Sequence, residues 1–159
     1  MTYDVGTIVV GCGNVLFKDD GFGPHVIKTI KEEYLKDNEF PDDVEFIDAG
    51  TSATYYIFSL PSDAWKKIIV VDVVDYHAEP GSLKYFSPFE MPKGKYENAH
   101  NWAVEEPLQD LANKGIDVVI VGCQPQEISA PDIDLGLSES VQNAIPKAID
   151  MIFKEIGVN

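Results

Sequence analysis

Cysteine is scarce in this chain. Cys12 and Cys123 are the only two, they are far apart, and neither belongs to a Cys-x-x-Cys pair. That excludes a disulfide-stapled scaffold and a zinc knuckle, and it reads as two reduced thiols in a cytoplasmic protein. Long apolar runs are also missing. No segment approaches the ~20 apolar residues a membrane span needs, and Met1-Thr2-Tyr3-Asp4 has no basic stretch of the kind that opens a secretion signal. Basic residues are few: 12 Lys and Arg stand against 27 Asp and Glu, a net charge of −15. Such a surface repels nucleic acid and anionic lipid and favours cations and basic partners, although an acidic proteome gives the same balance with no functional meaning. There is no Gly-x-Ser-x-Gly elbow, so a serine hydrolase of the α/β type is a poor reading.

What is present is an alternation of β-type and helical patterns. With 159 residues, 45% of them hydrophobic and 25% charged, the chain suits one domain over residues 1–159. Continuous β-branched runs at 7–10, 44–47, 67–74 and 117–121 predict strands buried on both faces, as in a parallel sheet. The alternation across 82–86 predicts an edge strand. Helical stripes are predicted over 23–36, 53–60, from His100 onwards with Pro107 inside, and from a Ser138 cap to about residue 156, with Pro146 marking a bend or break. Segment 126–136 reads as irregular and acidic. The expected fold is a three-layer α/β sandwich: a mostly parallel twisted sheet of about five strands with helices on both faces. In such a sheet, function sits at the carboxyl edge.

The loops expected at that edge are rich in acids: Asp19-Asp20 after the first strand, Asp48 after the second, Asp72 and Asp75 after the third, and Gly122-Cys123-Gln124-Pro125 after the fifth. Gly11-x-Gly13 begins like a dinucleotide fingerprint, but Leu16 stands where the third glycine belongs, and the two acids would oppose a pyrophosphate. One member of the acidic pair is expected to cap the first helix, which leaves the other as a hard oxygen ligand. Asp72 ends the most apolar strand, so its carboxylate should be partly desolvated and in need of a donor or a cation. Of three histidines, His25 falls on the first helix, His77 just after the central strand, and His100 at the start of a later helix. Asp20 and Asp72 with His100 or His77 make a metal site with open positions, suited to nickel, zinc, iron or manganese. Cys123 follows an apolar strand and reads as buried rather than as a nucleophile.

The run from Gly11 to Gly23, Gly-Cys-Gly-Asn-Val-Leu-Phe-Lys-Asp-Asp-Gly-Phe-Gly, resembles the signature of the nickel–iron hydrogenase maturation endopeptidases. The likeness continues at Asp48-Ala49-Gly50-Thr51, Ile69-Val70-Val71-Asp72, His100, Val121-Gly122-Cys123-Gln124-Pro125 and Gly136-Leu137-Ser138. It covers nearly the whole chain in order, with a departure at Ala49, where many relatives have glycine. It points to the archaeal branch serving a deazaflavin-coenzyme-reducing hydrogenase. The resemblance implies an endopeptidase, of aspartic or metal-dependent type, that removes a C-terminal extension from a hydrogenase large-subunit precursor after nickel insertion. It assigns Asp20, Asp72 and His100 as nickel ligands and catalytic residues, and Asp48, Gly50 and Thr51 as the loop that receives substrate. Nickel is expected to arrive on the substrate and not to be held tightly by the free enzyme. Two other classes stand beside this reading: a non-catalytic nickel-checking chaperone on the same fold, and a nucleotide-binding α/β protein.

Overall fold

The computed structural model describes residues 3–35, 41–92 and 105–158. Five strands form one sheet: β1 (Thr7–Cys12), β2 (Val44–Gly50), β3 (Lys67–Val73), β4 (Leu83–Phe86) and β5 (Asp117–Cys123), in the spatial order β2-β1-β3-β5-β4. The first three and β5 run parallel, and β4 pairs antiparallel to β5 at the edge. Side chains alternate across a strand, so successive residues of β1 and β3 feed opposite cores. Val9, Ile69 and Val71 pack on one side with α1 (Phe22–Thr29) and α4 (Ile145–Glu155). Ile8, Val10, Ile68 and Val70 pack on the other with Ile57, Phe58 and Trp65, and with Leu108 and Leu111 of α2 (Glu105–Asn113). The three-layer sandwich follows from that alternation.

Several expected boundaries move. The first helical stripe is α1 followed by a π-helical turn, Ile30–Tyr34, and it is preceded by a 3-10 turn at Asp19–Gly21. The helix expected over 53–60 is a π-helical turn at Thr54–Phe58. The last helix is two: α3 (Glu139–Gln142), then α4 with Pro146 in its first turn, where the missing N–H costs nothing. His100 and the opening of its expected helix lie outside the described residues.

The strand order fixes where a site can form. From β1 the chain crosses to β2 on one side, whereas β3 lies on the other, so the carboxyl ends of β1 and β3 border the switch-point crevice. Gly13 sits there at φ 131°, a conformation that suits glycine. The start of α1 lies so close behind the two strands that a Cβ on Gly23 would overlap the carbonyl oxygens of Cys12 and Val71. Gly23→Ala is therefore expected to lower stability by about 1–3 kcal/mol, the usual cost of overpacking a filled core, read as a lower urea midpoint with an unchanged slope.

Candidate functional site

The carboxyl edge of the sheet brings the acids together but separates their roles. Asp19, Asp20 and Asp72 are all buried, at 0%, 1% and 2% exposure. Asp19 does not cap α1; the residue at that position is Gly21, with no side-chain cap bond. Its carboxylate instead holds a distant part of the chain. Oδ2 accepts the backbone N–H of Gln126 and of Glu127, both at 2.9 Å, and the Ser138 hydroxyl at 2.8 Å; Oδ1 accepts the Ser138 N–H at 2.7 Å. Four donors thus converge on its two oxygens. Ser138 is thus tied to Asp19, and makes no side-chain cap bond to α3.

The same segment is fastened again by backbone. Lys18 N–H donates to Asp134 O and Asp134 N–H to Leu16 O, at 2.8 and 2.9 Å. The Lys18 ammonium reaches Asp134 at 3.4 Å and Glu127 at 3.6 Å. So the loop leaving β1 and segment 126–138 are one unit.

Asp20 turns the other way. Its Oδ2 accepts the Asn14 N–H at 3.1 Å. Asp72 accepts the N–H of Val73 at 2.7 Å. Burial, then the nearby charge of Asp20, push the Asp72 carboxyl well above its ordinary range, against that hydrogen bond. Gly13 lies between them: a Cβ there would overlap the Asp20 carbonyl and stand 3.5 Å from Asp72 Oδ1. Two buried carboxylates, with the charge of Asp20 adding to the cost of Asp72, form a hard oxygen pair suited to a divalent cation. Neither thiol adds a nucleophile. Burial, with Asp72, Asp20 and Asp48, pushes Cys12 up, and burial with Asp19 pushes Cys123 up to about 12.

The remaining candidates divide. His77, exposed and at φ 63°, is held with Asp75, Nδ1 to Oδ1 at 4.0 Å. Among the described residues no three His, Cys, Asp or Glu side chains are placed to hold a metal ion, so His77 does not complete the Asp20–Asp72 pair. His100 is outside the described residues. His25 is half-buried on α1. Asp48, Gly50 and Thr51 do lie together, lining with Gly13 a depression of about 210 Å³. A bulge shapes that loop: Gly11 pairs with Asp48 but Cys12 with Gly50, leaving Ala49 as the extra residue, and Gly50 takes φ 55°. Its carbonyl accepts the Gly13 N–H at 2.9 Å.

Two supporting residues carry no sequence signal strong enough to give their role. Ser138 reads as a helix cap. Gln124, buried after β5, takes the N–H of Tyr76 and of Ala78 on its Oε1 at 2.8 and 3.2 Å, and donates Nε2 to Asp75 at 2.9 Å. It thereby fixes the loop that follows Asp72.

A hydrogenase maturation protease family model matches residues 24–155. The chain belongs to the hydrogenase maturation protease family. It is 60% identical, over all of this chain and 99% of the relative, to the coenzyme F420 hydrogenase subunit delta of Methanothermobacter thermautotrophicus. Its fold superposes on the hydrogenase maturating endopeptidase HybD of E. coli with a TM-score of 0.74 at 22% identity, covering 95% of this chain and 91% of that one. The hydrogenase 2 maturation peptidase of Thaumarchaeota archaeon SCGC_AB-539-E09 gives 0.64 at 25% identity, covering 97% and 99%. No helix among the described residues is long and apolar enough to cross a membrane.

The clamping role of Asp19 can be tested on stability alone. Asp19→Asn presents an amide N–H₂ to at least one of the donors around it, leaving a buried donor unsatisfied; the expected loss is about 1–3 kcal/mol by urea denaturation. Ser138→Ala removes one hydrogen bond to a charged group, with a loss of about 1.5–3 kcal/mol.

Proposed function

We propose that this family member is an endopeptidase that removes the C-terminal extension of a nickel–iron hydrogenase large-subunit precursor once nickel is in place. The archaeal relative, named as a subunit of an F420 hydrogenase, supports a coenzyme F420-reducing hydrogenase as the one served. The observation that carries the reading is the buried pair Asp20 and Asp72 at the switch point, where the charge of Asp20 adds to the burial of Asp72. Nickel enters as cargo of the substrate. Asp20 and Asp72 supply oxygen ligands to it, and His100, the third ligand by family resemblance, supplies an imidazole. Binding at nickel fixes the neighbouring peptide bond, which converts an encounter into a positioned reaction. A carboxylate of the pair takes the proton of an attacking water; the water oxygen bonds to the scissile carbonyl carbon, the C–N bond breaks, and the leaving amine takes up a proton. Cleavage therefore waits for nickel because the nickel is what the enzyme grips.

Nickel-loaded precursor should be shortened and nickel-free precursor left intact, as read by mass spectrometry; equal rates on both would sink the gating. An unshortened loaded precursor that stays bound would instead favour a checking chaperone. Asp20→Ala, Asp72→Ala and His100→Ala should each abolish shortening of loaded precursor.

Asp72 allows a second check in the free protein. Its folded-state pKa is raised, so the native state holds this proton more tightly than the unfolded chain does. The resulting stability is complete below the unfolded value of about 4 and is lost as pH rises through the raised native value. At pH 7, where the unfolded chain ionises this carboxyl, keeping Asp72 buried is thus a cost that a neutral amide lacks. Asp72→Asn should raise Tm at pH 7, by roughly 2–4 °C for each kcal/mol relieved in a chain of this size. The gain should shrink as pH falls towards 4, and shortening of the precursor should be abolished throughout.

A further inference from the structure

Next to Gly13 runs a groove that extends from the Asp48, Gly50 and Thr51 loop, which the family resemblance assigns to substrate, to residues with no role so far. The depression at Gly13 and Thr51 shares Val15, Pro24 and Asp48 with a second one of about 290 Å³, which continues to His25 and Lys28 on α1 and to Leu135. The two share a wall and form lobes of one channel, whose near end is Gly13, the residue packed against the Asp20 carbonyl and Asp72. Val15, 43% accessible, and Leu135, 69%, give the far lobe an exposed apolar wall beside Asp48, His25 and Lys28. In a chain of net charge −15, Lys28 lines the far lobe only, while Asp48 lines both. The Leu135 wall belongs to segment 126–138, which Asp19 and Lys18 fasten to the β1 loop. It is preformed, so an occupant has little ordering cost to meet.

We propose that this groove holds the polypeptide on the carboxyl side of the scissile bond, with an apolar side chain between Val15, Pro24 and Leu135 and a carboxylate at Lys28. The inference rests on the endopeptidase reading and adds a specificity site to it. Size selects the occupant: lobes of about 210 and 290 Å³ admit an extended strand and a few side chains, not a folded domain. The folded body of the substrate must stay outside, and its tail is the part that fits. Asp48 can accept a backbone N–H of that tail, and Lys28 gives it a polarity. The carboxylate is either an acidic side chain or the chain terminus.

The test uses the full-length protein and a synthetic peptide reproducing the extension of a nickel–iron hydrogenase large-subunit precursor, followed by NMR. Saturating peptide should shift the resonances of Val15, His25, Lys28 and Leu135. Leu135→Asp and Lys28→Glu should each weaken binding tenfold or more, with Tm within 2 °C of the parent because both side chains are exposed. Amidating the peptide terminus should weaken binding if the terminus is the source of the carboxylate; neutralising an acidic side chain should do so if the side chain is. Loss from neither would overturn the role of Lys28. No shifts at these residues with peptide at millimolar concentration, or undiminished binding to Leu135→Asp, would overturn the groove. With loaded precursor, the same variants should raise KM tenfold and leave kcat within twofold. Peptide bound in the groove with no shortening of precursor by the parent would instead sink the endopeptidase reading and leave the groove standing.

Discussion

The site depends on the buried carboxylate of Asp19, which holds segment 126–138 against the loop leaving β1. Asp19 gathers four donors from residues 126, 127 and 138, which join chain segments more than a hundred positions apart. Loops at a sheet edge are ordinarily the most mobile parts of an α/β protein. Here the edge is drawn tight, because charge-assisted hydrogen bonds in a dry environment are strong and directional. Asp20 follows immediately in the same 3-10 turn. Fixing Asp19 towards segment 126–138 fixes its neighbour towards Asp72.

The second constraint is closeness of backbone. α1 starts on top of β1 and β3 with only hydrogens where Gly11 and Gly23 would carry a Cβ. Gly13 leaves room for both Asp20 and Asp72 by having no side chain. Three of the four glycines between Gly11 and Gly23 are thus spent on bringing two carboxylates into one crevice, which a bulkier loop would hold apart. The usual reading of such glycines, room for a pyrophosphate, fails because the space is filled from within: by backbone and Ile27 at Gly11 and Gly23, and by the Asp20 carbonyl, with Asp72 beyond it, at Gly13.

Much of this was legible in the chain. Unbroken β-branched runs located the four parallel strands, and the period-2 pattern at Ser82-Leu83-Lys84-Tyr85-Phe86 located the antiparallel edge strand, because both signals report burial on two faces or on one. Strand ends and acids in register gave the carboxyl edge. The long-range clamps were not legible. Ser138 before a helix carries the same local signal whether its hydroxyl caps that helix or reaches Asp19, and Asp19 before a helix looks like a cap by the same rule. Only the folded path of 126–138 decides between them. Gln124 was hidden for a similar reason: an amide that serves two N–H groups and a carboxylate has no periodicity to betray it. The π-helical turns at Ile30–Tyr34 and Thr54–Phe58 share the apolar spacing of an α-helix closely enough to be read as one.

Evolution of a protein usually removes the arrangement seen at Asp20 and Asp72, two acids sharing a dry site, because like charges are costly where water does not screen them. Such an arrangement survives where function requires it, and local rules of stability are broken most often at functional positions. The neighbouring acid shows the contrast. Asp19 is as deeply buried, yet it is surrounded by donors and strengthens the fold. Asp72 has one backbone N–H and the charge of Asp20 against it. A cation delivered between the pair reverses the sign of that interaction, turning mutual repulsion into shared coordination. On the proposed reading, the free energy released at that moment binds the substrate. The stability surrendered by the free enzyme is then the source of its discrimination between nickel-loaded and nickel-free precursor.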